Sequence, residues 1–110
     1  MGYIKYSGDN KKFAFLFSNI FGGGWAEVVK RIIELKINPE KIESKIYKTG
    51  WHSSDEEIIF SKDDIEVIIH FDEYDSIDIY TKDEKCSFEQ IELWVKIINN
   101  ETEIINKEKN

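Results

Sequence analysis

The sequence predicts an α+β domain of two layers, an antiparallel β-meander sheet with two helices packed on one of its faces. Residues 42–80 alternate apolar and polar side chains in short runs, as antiparallel strands with one wet face do. Residues 25–33 and 91–98 instead carry apolar residues at helical spacing. The spacers between the alternating runs are too short for crossover helices, so neighbouring strands must run antiparallel.

At 110 residues the chain has the size of one domain. That domain is expected over 1–100, with 101–110, E-T-E-I-I-N-K-E-K-N, as a polar tail that frays. The first element is a hairpin. Gly8-Asp9-Asn10 supplies residues that tolerate positive φ, and Phe13, Phe15 and Phe17 alternate after it. Phe13, Leu16, Phe17 and Ile20 also fit a helical period, so 13–21 is open to both readings, with strand preferred. Gly22-Gly23-Gly24 breaks the chain. Trp25, Val28, Val29, Ile32 and Ile33 then form one helical stripe, with Glu27, Lys30, Arg31 and Glu34 opposite. Asn38-Pro39 ends the helix, because the residue before proline is driven out of the α region.

Four strands follow. Ile42, Ser44 and Ile46 alternate with Glu43, Lys45 and Tyr47, and 50–54 is a loop. Ile58 and Phe60 oppose Glu57, Ile59 and Ser61, and Lys62-Asp63-Asp64 is a turn. Ile65, Val67, Ile69 and Phe71 oppose Glu66, Ile68, His70 and Asp72, and Ile77 and Ile79 oppose Asp78 and Tyr80. The last helix starts at Ser87, an N-cap with Gln90 three residues on. Ile91, Trp94, Val95 and Ile98 form its buried stripe, and Asn99-Asn100 is its expected end.

The formal net charge is −7, which argues against nucleic acid and against an anionic membrane surface as partners. A single cysteine, Cys86, allows no intrachain disulfide, and the first residues carry no apolar leader, so a reduced, cytoplasmic setting is expected. The charge is unevenly spread. Residues 1–50 hold nine Lys/Arg and five Asp/Glu, whereas 51–92 hold three Lys and fourteen Asp/Glu.

The acidic region peaks at 70–84, H-F-D-E-Y-D-S-I-D-I-Y-T-K-D-E, with six carboxylates and one lysine. Read as a cation loop from Asp72, its sixth position is Ile77, where the turn needs glycine, and its twelfth is Asp83. No metal or cofactor is therefore expected. Read as an acid–base site, it groups His70 with Glu66, Asp72 and Asp78, but a solvated acidic face explains the same pattern. His52, His70 and Cys86 match no zinc spacing, and the triple glycine lacks the phosphate-loop ending. Cys86 reads as structural. The third reading is an acidic docking face. Asp63, Asp64, Asp72, Glu73, Asp75 and Asp78 would supply the charge, and Trp51, Tyr74 and Tyr80 the aromatic anchors. The competing reading is that these acids serve solubility and keep strand edges apart.

In overall character the chain resembles the small immunity proteins encoded beside bacterial polymorphic toxins, including those of contact-dependent growth-inhibition systems. The resemblance lies in the length, the acidity, the α+β pattern and the charged meander I-I-F-S-K-D-D-I-E-V-I-I-H-F-D-E-Y-D. It implies a non-enzymatic protein, monomeric or weakly dimeric when free, that binds a cognate toxin domain, often a basic nuclease, and neutralises it. Two other readings stand beside it: a small acidic subunit or adaptor of a larger assembly, and a small enzyme using His70 and nearby carboxylates.

Overall fold

Ile65, Val67 and Ile69 alternate on one strand, and each is at most 8% exposed, so this strand lies at the centre of a covered sheet face. A computed structural model describes residues 3–8, 11–17, 25–48, 50, 54–71, 77–83 and 85–109, with side-chain surroundings given from 25 to 105. The strands are β1 (Tyr3–Gly8), β2 (Lys11–Phe17), β3 (Lys41–Lys48), β4 (Ser54–Lys62), β5 (Ile65–Phe71) and β6 (Ile77–Thr81). The helices are α1 (Trp25–Ile32), prolonged by a π-helical turn over Ile33–Ile37, and α2 (Phe88–Lys109). The sheet order is β1-β2-β6-β5-β4-β3, with every neighbouring pair antiparallel. The expected α+β meander therefore holds for β3 to β6, and the N-terminal hairpin extends it beyond β6. In the open segment 13–21, Phe13 to Phe17 belong to a strand. The triple glycine lies outside the described residues.

Both helices cover the same face. Trp25, Val29, Ile32, Ile33 and Ile37 from the first helical segment meet Ile58, Phe60, Ile65, Val67, Ile69, Ile77 and Ile79 from the sheet. Ile91, Trp94, Val95 and Ile98 of α2 complete this core. Phe60 and Trp94 meet edge to face, with ring centroids 5.6 Å apart and planes at 75°, the geometry that aromatic quadrupoles favour. Cys86, 1% exposed, belongs to the same core.

Three local solutions depart from plain expectation. The first helix does not stop as an α-helix but widens, closing on an Asn38 N–H bond to the Ile33 carbonyl of 2.9 Å. Asn38 sits at φ 56°, a left-handed cap that asparagine tolerates. The widened turn buries Ile37 alongside Ile33 and leaves Leu35 outside. Between β4 and β5, Asp63 and Asp64 both have positive φ, 54° and 64°, the requirement of a two-residue hairpin loop. Glu40 Oε1 accepts the Asp63 N–H at 3.0 Å, and Lys62 Nζ donates to the Asn38 carbonyl at 3.1 Å, tying this turn to the segment after the first helix.

The third departure corrects the expected end of the last helix. Ser87 does cap it, its Oγ accepting the Gln90 N–H at 3.2 Å. Asn99-Asn100 does not end it, and residues 101–109 continue as helix. The tail is held because the buried stripe runs on: Thr102 is fully buried, its hydroxyl donates to the Asn99 carbonyl at 2.9 Å, and Ile105 packs against the core. Ending the chain after Asn100 therefore removes structure. The truncated protein is expected to lose about 2 kcal/mol or more of stability in urea unfolding, whereas a frayed tail would leave the midpoint unchanged.

Candidate functional site

Burial of one sheet face dictates what the other carries. With Ile58 and Phe60 turned to the helices, Asp55, Glu57, Ile59 and Ser61 of β4 face away. The register then sets Glu57 and Asp78 on either side of His70, and Ile59 and Tyr80 on either side of Ile68. On the outer strand, Lys45 lies opposite Glu57 and Glu43 opposite Ile59.

His70 is the centre of this face. Its Nδ1 lies 3.0 Å from Glu57 Oε2 and its Nε2 lies 2.9 Å from Asp55 Oδ2. The three side chains are 26%, 16% and 19% exposed respectively. A neutral imidazole has one N–H and satisfies only one of these carboxylates, while the charged ring donates to both. Burial alone would push the His70 pKa down; the hydrogen bonds to Glu57 and then Asp55, with their charges, outweigh it and raise the pKa. In its charged form the bracketed ring donates from both nitrogens, one to each carboxylate. Among the described residues, no group of three or more His, Cys, Asp or Glu is arranged to hold a metal ion. Asp83, the twelfth residue from Asp72, instead accepts the Lys85 N–H at 2.9 Å.

The structure distributes the expected docking residues unevenly. Asp78 is half-buried on the outer face, opposite His70. Asp63 and Asp64 are exposed, but they form the hairpin turn at the other end of β5, roughly 17 Å of strand away at ~3.4 Å per residue. Tyr80 lies on the outer face as its alternation requires, yet it is only 9% exposed, packed with Ile68 and Ile59. It cannot present its ring to a partner, and this corrects its assignment as an anchor. Asp72, Glu73, Tyr74, Asp75 and Trp51 lie outside the described residues. Tyr47, opposite Asp55 on β3 and 43% exposed, is the outer-face aromatic that the sequence reading passed over. Asp55 was also passed over; its two-residue spacing from Glu57 was the available signal.

Protonation of His70 links this face to stability. A raised folded-state pKa means that the charged ring stabilises the fold fully below the ordinary value of 6.5, and that this contribution is lost as pH rises through the raised value. Urea unfolding between about pH 6 and 9 should show wild-type stability falling relative to His70→Gln, whose own profile stays flatter across that window. Parallel profiles would mean that the bracket does not hold a proton. No helix among the described residues is long and apolar enough to cross a membrane, and no family model, curated protein or solved structure matches the chain.

Proposed function

We propose that this protein is a binding module of the immunity class, which neutralises a cognate basic toxin domain, such as a nuclease, by presenting the acidic outer face of its sheet. One observation carries the reading. Among the described residues of β3 to β6 on that face, Glu43, Asp55, Glu57, Glu66 and Asp78 stand against Lys41, Lys45 and His70, five carboxylates to three basic side chains. A nuclease is basic along its substrate path, so carboxylates placed where phosphates would lie compete directly and speed capture. Tyr47 supplies an exposed ring beside them.

The β4–β5 turn adds a second, separate acidic point. Both its positions take left-handed backbone, where Asn-Gly is the favoured pair. Asp-Asp gives up some turn stability and places two exposed charges at the sheet's end.

These two roles predict opposite effects in one variant. Asp63→Asn with Asp64→Gly should raise stability by about 0.5–1 kcal/mol. Combined with Asp78→Asn, it should slow association with the proposed cognate toxin domain by about tenfold at low salt, and flatten the salt dependence. Stopped-flow mixing measures the rate, and growth of cells expressing that domain measures protection. No complex and no protection by the wild type would overturn the proposal; an unchanged rate in the variant would remove these acids from it.

A further inference from the structure

The β3 edge of the sheet carries a feature independent of toxin binding. β3 pairs with β4 over all eight of its residues, Lys41 opposite Ser61 through Lys48 opposite Ser54, without a break in register. Among the described residues, its other side has no neighbour in the sheet. The result is an unbroken edge of about 27 Å, at ~3.4 Å per residue, whose outward backbone groups are unpaired within the sheet among the described residues. Natural edges are usually short, bulged, interrupted by proline or covered. Among the described residues, this one has no bulge, proline or covering element within Lys41–Lys48; its guards are the charges of Lys41, Lys45 and Lys48, and it exposes Ile46 at 69%.

The sequence along the edge reads as its own complement about Ser44. Counting outward, Glu43 matches Lys45, Ile42 matches Ile46, Lys41 matches Tyr47 and Glu40 matches Lys48. We infer that β3 pairs antiparallel with β3 of a second copy about a two-fold axis through Ser44, joining two six-stranded sheets into one of twelve.

A dyad normal to the sheet sets residues of the same parity opposite one another, so each side chain meets one on its own face. On the outer face each Glu43 then meets the partner's Lys45. On the helix face each exposed Ile46 meets the partner's Ile42, which already packs at the margin of the core. Each Glu40 also comes opposite the partner's Lys48. Moving the axis one residue breaks this. Centred on Glu43 it opposes Glu43 to Glu43 and Lys41 to Lys45; centred on Lys45 it opposes Lys45 to Lys45. Like charges directly opposed destabilise a strand pair, so Ser44 is the centre the charges select. Two of the three lysines that would otherwise guard this edge, Lys45 and Lys48, are supplied with a carboxylate partner, and Lys41 meets Tyr47. An interface of one strand pair is small, so the dimer is expected to dissociate in the micromolar range.

Sedimentation equilibrium reads the state directly. The wild type should show a concentration-dependent dimer. Glu43→Lys and Lys45→Glu should each be at least about tenfold weaker, because two attractive pairs become two repulsive ones. A mixture of the two variants should associate again, since the lysine introduced in one copy then faces the glutamate introduced in the other across the dyad. Both positions are exposed, and circular dichroism checks that each variant is folded. Ser44→Cys gives a second readout. Its thiol meets its own copy within disulfide reach and should cross-link on mild oxidation, whereas the wild type, whose Cys86 is buried, should not. A wild type that stays monomeric, a Glu43→Lys dimer as tight as wild type, a mixture that fails to associate, or a monomer whose β3 is taken instead by a different protein would each overturn the inference.

Discussion

The structure depends on the contact between Trp94 of α2 and Phe60 of β4. Phe60 has no exposure and Trp94 only 3%, so both give nearly all of their surface to the core. Fully burying a side chain of this kind contributes on the order of 1.5–3 kcal/mol. Its structural consequence is larger than its energy. A strand has a side-chain period of two, so fixing Phe60 beneath the helix fixes Ile58 with it and turns Asp55, Glu57 and Ile59 outward. Pairing then passes the choice to β5 and β6. A slip of one residue on β4 would put Ile59 or Ser61 under Trp94, expose Phe60 and turn the alternate set that includes Glu57 toward the core. The acidic face is thus the reverse side of the helix-facing core.

That inheritance explains why His70 is held as it is. Its strand partner on one side is Glu57 and on the other Asp78, so three strands deliver a base and acids to one place without any loop being shaped to do so. Asp55 joins by the same period of two. The carboxylates would repel one another if left alone on a half-buried surface, and a charged ring between two of them removes that repulsion. The outer face can therefore stay acidic while still packing Ile59, Ile68 and Tyr80 in its middle.

What could be read from the sequence follows the range of the interaction that decides it. Strand and helix positions rest on local periodicity, so the Ile58/Phe60 and Ile91/Trp94/Ile98 patterns located their elements and faces. The Ser87 cap was legible because its partner is three residues away. The end of α2 was not. Asn99-Asn100 is locally a stop, and it is overridden because Thr102 and Ile105 find burial against elements distant in sequence. The pairing of β2 with β6 and the π-helical close on Asn38 were hidden for the same reason. At the site, alternation alone placed Glu57, His70 and Asp78 on polar faces. It could not show that Glu57 and His70 would be directly opposed, because that is a property of cross-strand register. Tyr80 failed as an anchor for a related reason: alternation reports which side of a sheet a residue takes, and not whether neighbours on that side cover it.

The two surfaces fit one molecule. On the outer face β3 is the basic margin of the sheet, with Lys41 and Lys45, and most of the carboxylates lie inward from it on β4, β5 and β6. An isolated chain shows both signs on one face, and the lysines blunt the field its carboxylates can project. Pairing β3 with its own copy sets Glu43 against Lys45, so the charge of Lys45 is neutralised where it lies. Because the axis stands normal to the sheet, the outer faces of the two copies point the same way and their carboxylates add. Glu66 and Asp78, and Asp55 and Glu57 held on His70, take no part in the pairing of β3 with its copy and still lie on the outer face. Self-association at the edge and capture on the face therefore use different residues, and the first strengthens the field on which the second depends.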